Sequence, residues 1–107
     1  MGKRLAFLVM LKYKDVIKYL KGWNIHDGFI WVDKENDSTV YSLDRMLAIS
    51  DKYLDPYEIF RRDSVIYPFR NELKDCSEFT IELFEFRYNK TMAQTYKIPE
   101  GWNAETI

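Results

Sequence analysis

The sequence predicts a single α+β domain that combines an antiparallel sheet with two or three short helices. A chain of 107 residues has the length of one domain and can bury about two-thirds of the surface that it exposes when unfolded. Strand-like and helix-like segments are mixed along it without the strand–helix–strand rhythm of a parallel sheet. No linker or low-complexity stretch divides the chain, so we expect the domain to span residues 1–107.

The first part of the chain contains an apolar run followed by a periodic segment. Residues 5–11 are apolar on every side, which fits either a buried strand or the core turn of a helix. Beyond this run, four apolar residues recur at positions i, i+3, i+4 and i+7 with lysines opposite them: Tyr13, Val16, Ile17 and Leu20. This spacing is typical of an amphipathic helix, and Gly22 can end a helix in a left-handed cap. We therefore expect a helix over residues 13–21, or from residue 4 if the apolar run is helical as well.

The middle of the chain contains two short segments that are rich in β-forming residues, at 28–33 and 39–43. A polar segment, 34–38, separates them. Two such runs around a polar turn predict a β-hairpin.

Two short helices are expected next. An apolar segment at 46–49 suits a short helix that is capped by Ser42 or Asp44. The Asp-Pro pair at 55–56 is a stronger start signal, because the Asp side chain can accept the unpaired amides and Pro has none to lose. The second helix is predicted to run from residue 56 to about 62.

The last third of the chain is strand-like. Residues 79–88 form the longest β-rich run, but their apolar positions change face between Leu83 and Phe84. Such a change predicts a β-bulge or a strand that is buried on both faces. A turn at 89–90 then leads into a second strand at 91–98, which the following proline ends.

The composition favours a small binding domain. Aromatic residues make up 17% of the chain, and they combine a large contact area with polar tips. The net charge is −1 and the pI is near 5.8, whereas nucleic-acid-binding domains are normally basic. The apolar run at 5–11 is far shorter than the roughly 20 residues that span a bilayer. We therefore expect neither a nucleic-acid partner nor a membrane span.

The charge is distributed unevenly. Residues 1–21 carry six Lys or Arg and one acid, whereas residues 22–60 carry three Lys or Arg and eight acids. This polarity can guide docking or can be paired internally, and we interpret it as a set of solvated faces.

Few residues in the chain could carry out catalysis or bind a metal. His26 is the single histidine and Cys76 the single cysteine, and acidic neighbours disfavour a reactive thiolate at Cys76. Acidic residues alternate over 33–37 with the spacing of a calcium loop, but Ser38 occupies the position that requires Gly. We therefore expect no enzyme activity, no metal and no cofactor. One cysteine and no secretory signal pattern predict a reducing, cytoplasmic location.

The best local mixture of charge and aromatic faces lies within the predicted helix at 56–62. Arg61 and Arg62 can clamp a phosphate or a carboxylate, and Tyr57 and Phe60 supply aromatic faces beside them. On a helix, Tyr57 would share a face with Phe60 and Arg61. This composition is typical of binding hot spots. The alternative is that both arginines are cations that offset the dipole of a helix C-terminus.

Three motifs within residues 11–60 occur in an order that resembles a known family. They are Leu-Lys-Gly-Trp-Asn at 20–24, Phe-Ile-Trp-Val at 29–32 and Asp-Arg-Met-Leu-Ala at 44–48, with an acidic-aromatic ending at 55–59. Together they resemble small phage and prophage domains that include Thoeris anti-defence proteins and one class of CRISPR-nuclease inhibitor. The Arg that usually precedes Gly-Trp is missing, Arg45 is an insertion, and residues 61–107 match no part of that family.

The resemblance implies an oligomeric, non-catalytic protein that sequesters a cyclic nucleotide-derived signal made by a bacterial immune system. It makes Trp23 and Asn24 candidate ligand-binding residues, because an indole face stacks well on a purine. A phage-encoded protein of this kind would act in the host cytoplasm. Without the resemblance, Trp23 is expected to pack in the core.

Two alternative functions remain open at this point. The first is a protein-binding module that inhibits a host enzyme without any small-molecule ligand. The second is single-stranded nucleic-acid binding by the basic N-terminal segment and surface aromatics. The expected partners are therefore a host protein or a nucleotide-type small molecule, and a homo-oligomer is a further option.

Overall fold

In the computed structural model, which describes residues 5–103, six strands form one antiparallel sheet. The strands are β1 (Ala6–Tyr13), β2 (Val16–Asn24), β3 (Gly28–Val32), β4 (Tyr41–Ser42), β5 (Glu78–Glu85) and β6 (Lys90–Lys97). Their order is β3-β2-β1-β5-β6, and the short β4 pairs with β1. The helices are α1 (Leu43–Tyr53) and α2 (Arg70–Leu73), with 3-10 turns at Glu35–Asp37, Glu58–Phe60 and Tyr67–Phe69.

A sheet that is accompanied by two helices is consistent with the predicted α+β class. The ends of the domain predicted over 1–107, residues 1–4 and 104–107, lie outside the described residues. Between these ends, no helix is long and apolar enough to cross a membrane.

The predicted helix at 13–21 is wrong, because this segment contains the end of β1, a turn at 14–15 and the first part of β2. Strand β2 forms a tight hairpin with β1, in which Tyr13 pairs with Val16 and Leu11 with Lys18. The turn between them places Lys14 at a φ of 50°, a conformation that is uncommon for a residue other than Gly, Asn or Asp. The sequence therefore lacks the usual turn signal. The apolar residues of the two strands also follow the i, i+3, i+4, i+7 spacing of an amphipathic helix, which explains the wrong prediction. The apolar run before it is the buried strand β1.

The predicted hairpin between 28–33 and 39–43 is also wrong. The first segment forms β3, which pairs with β2, whereas the second contributes β4, which pairs with β1. The polar segment between them contains a 3-10 turn. Thr39 attaches this connection to β2, because its amide donates to the Leu20 carbonyl at 3.3 Å and its hydroxyl donates to the Lys21 carbonyl.

Helix α1 begins where its cap was predicted, but the second predicted helix does not form. The Ser42 hydroxyl accepts a hydrogen bond from the Arg45 amide at 3.4 Å. Asp55 also acts as predicted, since its carboxylate accepts from the amides of Tyr57 and Glu58 at 2.9 and 3.2 Å. The chain then makes only one 3-10 turn, because Arg61 is extended with a ψ of 163°.

The long strand near the C-terminus is regular. β5 pairs without a register shift with β1 and with β6, so the predicted bulge at the change of face is wrong. Instead, Glu85 occupies the buried position, and its carboxylate accepts from the amides of Arg87 and Tyr88 at 2.7 and 2.8 Å. Phe84 points away from the core face and packs against Phe86, with ring centroids 5.0 Å apart. Within the described sheet the register shift lies in β2, between Leu20 and Gly22.

One apolar core joins the sheet to the segment that follows α1. This segment, residues 54–66, has little regular structure, yet it contributes several fully buried residues: Ile59, Val65 and Ile66. Three aromatic side chains donate to its backbone carbonyls. Tyr96 donates to Leu54 at 2.6 Å, Trp31 to Val65 at 2.9 Å and Trp102 to Phe60 at 3.0 Å.

The buried hydroxyl of Tyr96 makes the stability of the fold dependent on pH. Burial raises the pKa of Tyr96 to about 12, above the ordinary value of about 10. The unfolded chain therefore releases this proton first, so we expect the free energy of unfolding to fall as pH rises from about 10 toward 12. In Tyr96→Phe this fall should be smaller.

The same variant should also be less stable at neutral pH. Loss of the hydrogen bond to Leu54 should lower the free energy of unfolding by about 1 kcal/mol. Tyr57→Phe is the matched control, because Tyr57 is 85% exposed and should behave as the parent. Denaturant titrations at pH 7 and at several alkaline pH values measure both effects, and equal curves for Tyr96→Phe and the parent would contradict them.

Candidate functional site

A surface cleft of about 540 Å³ lies between the β2–β3 turn and the loop that contains Arg62. We call it the Trp23 cleft, and its polar and aromatic lining consists of Trp23, His26, Asp27, Phe29, Lys52, Tyr53, Arg62, Asp63, Ser64 and Tyr67. Two further hollows adjoin it. One of about 490 Å³ extends past Arg61 and Glu58, and one of about 260 Å³ lies beside α1.

The β2–β3 turn places Trp23 at the mouth of the cleft. Asn24 holds this turn, because its side-chain oxygen accepts from the amides of His26 and Asp27 at 2.9 and 2.6 Å. Its amide nitrogen donates to the Asp27 carboxylate at 3.2 Å, and Gly28 closes the turn with a φ of 71°. The predicted ligand-binding residue Asn24 is therefore occupied in shaping the turn.

Trp23 presents its indole to solvent. It pairs with Phe29 across the hairpin and is 60% exposed, whereas Phe29 is buried against Tyr53 with an edge-to-face geometry and a centroid distance of 4.8 Å. An exposed indole beside buried rings provides a flat apolar surface at low entropic cost.

The opposite wall of the cleft carries the cations. Arg62 is exposed, and it makes no ion pair with any residue of 5–103. Lys52 also lines this wall, and its ammonium lies 5.2 Å from the centroid of the Tyr53 ring. Arg61 differs, because its guanidinium pairs with Glu58 at 3.6 Å. Asp63 lines the cleft as well, so the wall has charges of both signs.

The structure separates the residues that were predicted to form one binding face. Trp23 and Arg62 line the same cleft, and Arg61 lines the adjoining hollow. Tyr57 is 85% exposed and lies outside these cavities. Phe60 packs inward between Phe79 and Trp102, with centroid distances of 5.9 and 5.7 Å. Because the segment makes only one 3-10 turn, the helix face predicted for these residues does not exist.

The hollow beside α1 has a different character, and we call it the ring pocket. It is lined by apolar side chains together with Tyr41 and Arg45, and it shares Trp23, Phe29 and Tyr53 with the cleft. The Arg45 guanidinium lies 5.4 Å from the centroid of the Tyr41 ring. Burial raises the pKa of Tyr41, and Arg45 and the Thr39 hydroxyl offset this in part.

Tyr41, Arg45 and Lys52 were not identified as site residues from the sequence. Tyr41 reaches the ring pocket only because β4 pairs with β1, and Lys52 reaches the Trp23 cleft only because α1 extends to Tyr53. The sequence contained one local indication of these site residues, the motif at 44–48, which includes Arg45.

Of the residues considered for metal binding, His26 lines the Trp23 cleft and the others lie elsewhere. Asp33 pairs with Lys18, and the half-buried Cys76 lies 3.5 Å from the Glu72 carbonyl. In the part of the chain that the structure describes, His, Cys, Asp and Glu form no group of three or more that could hold a metal ion.

In comparisons with known proteins, no family model, no curated protein and no solved structure matched the chain.

The turn that carries Trp23 should depend on the side chain of Asn24. Asn24→Ala removes the acceptor of two backbone hydrogen bonds, so we expect it to lower the free energy of unfolding by about 1 kcal/mol. The matched control is Asn36→Ala, since Asn36 is exposed and should change stability by less than about 0.5 kcal/mol. Chemical denaturation of the two variants tests this, and equal stabilities would show that the turn does not need Asn24.

Proposed function

We propose that this protein is a non-catalytic binding protein that sequesters a nucleotide-type ligand in the Trp23 cleft. The observation that carries the proposal is that an exposed indole lines one cleft together with a guanidinium that forms no ion pair within residues 5–103. The indole face can stack on a base, and the guanidinium of Arg62 can form charge-assisted hydrogen bonds with a phosphate. Lys52 adds a second cation for the same anionic group.

The residues around the cleft support binding without turnover. The hydroxyl of Ser64 is buried and donates to the Ile59 carbonyl, so it is not held by a base as a catalytic nucleophile would be. His26 lies on the exposed turn, and no hydrogen bond of its ring to an acid is found among residues 5–103. We therefore propose that the protein acts by withdrawing its ligand from solution.

The biological role that we propose, counter-defence by a phage or prophage protein in the host cytoplasm, derives from the resemblance of residues 11–60. The motif residues Gly22, Trp23, Phe29, Arg45 and Ala48 all line the ring pocket, so three separate motifs meet at one place. The helix predicted over residues 13–21, before Gly22, is absent, and strand β2 takes its place. Oligomerisation of the chain is part of the same proposal.

The class of ligand can be tested without knowing its identity. The purified protein is incubated with bacterial lysate, washed and denatured, and the released material is analysed by absorbance at 260 nm and by mass spectrometry. Release of a nucleotide-type small molecule would support the proposal. Retention of a protein alone would favour the alternative of an enzyme inhibitor, and retention of an oligonucleotide would favour single-stranded nucleic-acid binding.

The two neighbouring arginines should contribute unequally to binding. We expect Arg62→Ala to weaken the binding of AMP, GMP, CMP or UMP by at least about 10-fold, because it removes a charge-assisted hydrogen bond. Arg61→Ala is the matched control and should change affinity by less than about 3-fold, since Glu58 already holds its guanidinium.

Isothermal titration calorimetry measures these affinities, and thermal melting checks the folding of each variant. Both arginines are exposed, so neither substitution should change stability by more than about 0.5 kcal/mol. Equal losses of affinity in the two variants, or no loss in Arg62→Ala, would contradict the assignment of the anion site to Arg62.

A further inference from the structure

The sheet has a second face, which lies opposite the apolar core. Along β1, Phe7, Val9 and Leu11 point into the core cluster, which also contains residues of α1, of α2 and of the segment 54–66. Successive residues of a strand point to opposite faces, so the residues between these three lie on the other side of the sheet. We call that side the outer face.

The outer face is apolar, although the second face of an antiparallel sheet is commonly polar and solvated. Met10 pairs with Tyr19 of β2 and with Glu82 of β5, and Leu8 pairs with Phe84. Residues that pair directly across two strands share a face. Pairing and alternation therefore place a continuous set of apolar side chains on the outer face: Leu8, Met10, Ile17, Tyr19, Val32 and Phe84.

Much of this apolar surface is accessible to solvent. Ile17 and Phe86 are each 44% exposed, and Phe86 extends the face because its ring packs against Phe84. Met10 is half-buried, and Leu8 in the middle is buried. Strand β1 thus has the apolar character of a strand that is buried on both sides. Contiguous apolar patches on a protein surface mark interaction sites.

We propose that the outer face packs against the outer face of a second copy of this chain, in a two-fold symmetric dimer. Charge favours a copy over a strongly charged partner. Lys12 forms an ion pair with Glu82 at 2.8 Å, and Lys97 lies opposite Glu78 across β5 and β6, so opposite charges on the face neutralise each other. The chain as a whole has a net charge of only −1. Such a face can meet itself without repulsion, as a two-fold interface requires.

The size and shape of the face suit a dimer. Five strands that lie about 4.8 Å apart and rise about 3.3 Å per residue present roughly 600 Å². Two copies then bury roughly 1,200 Å², the lower end of the range for stable interfaces. Twisted sheets pack face to face at about 30° and about 10 Å apart, so the apolar side chains of both copies would interdigitate.

A dimer of this kind leaves the candidate site free. Trp23 pairs with Phe29, which belongs to the core side of the sheet, so the Trp23 clefts of the two copies would open away from the interface. The dimer supplies the oligomer that the function proposed above includes, and in this respect the inference rests on it. The surface itself is assigned without reference to a ligand.

Sedimentation equilibrium of the parent protein from about 1 to 200 µM tests for the dimer. We expect the mass to rise from 12.9 kDa toward twice that value as the concentration increases. The melting temperature should rise with concentration as well, because association stabilises only the folded chain.

Two substitutions place a charge in the outer face, once from each copy. We expect Ile17→Lys and Phe86→Glu each to weaken the dimer at least 10-fold, since both copies would bury the same unpaired charge. Met92→Glu is the matched control: Met92 is 51% exposed and pairs with Leu83 on the core side of the sheet. It should change the dimer dissociation constant by less than about 3-fold. Thermal melting at the lowest concentration checks that each variant is folded.

The failures can be distinguished. A parent that remains at 12.9 kDa over the whole concentration range would refute the dimer. A dimer that both outer-face variants form as tightly as the parent, or that Met92→Glu weakens equally, would show that another surface is used. If the parent is monomeric yet binds AMP, GMP, CMP or UMP, the outer-face dimer is wrong while the Trp23 cleft stands. If it dimerises through this face and binds none of them, the proposed ligand site is wrong and the dimer stands.

Discussion

The structure depends on three hydrogen bonds that aromatic side chains donate to the backbone of an irregular segment. Tyr96, Trp31 and Trp102 come from β6, from β3 and from the C-terminal end of the described chain. Their acceptors lie within residues 54–65, where regular hydrogen bonding is sparse. Because burying unpaired carbonyls is costly, these donors allow the segment to cross the apolar core. They also fix the path of the backbone on both sides of Arg62, which lies between two of the acceptors.

The candidate site is a product of this arrangement. Its indole belongs to the end of β2, its guanidinium to the irregular segment, and Lys52 and Arg45 to α1. No single one of these elements contains both the indole and the cations of the site. A ligand that bridges these elements would also link the sheet to the segment held by the aromatic donors, so binding and local order should be coupled.

The sequence predicted those features that local chemistry determines. Side-chain type and alternation predicted the caps of Ser42 and Asp55, the buried nature of residues 5–11 and the last two strands. Predictions that depended on pairing between segments distant in sequence were wrong. The partners of β3 and β4 depend on the arrangement of the whole sheet and not on their nearest neighbours in sequence. The turn at Lys14 has no sequence signal, because its left-handed conformation is imposed by the two strands that it joins.

The site could be predicted in part for the same reason. Arg62 was identified from its residue type and its neighbours and Trp23 from the resemblance of residues 11–60, whereas Phe60 faces the core and Asn24 shapes a turn. Tyr41 could not be recognised, since it reaches the wall of the ring pocket only through the pairing of β4 with β1.

The register shift in β2 between Leu20 and Gly22 decides which side of the sheet carries the site. Successive residues of a strand point to opposite faces, and one extra residue reverses the order for all that follow. Trp23 thus pairs with the core-side residue Phe29. The shift takes up the extra residue Lys21, so Leu20 and Trp23 face the same side of the sheet although three positions separate them. If the alternation simply continued from Leu20, the indole of Trp23 would point to the far side, away from Phe29.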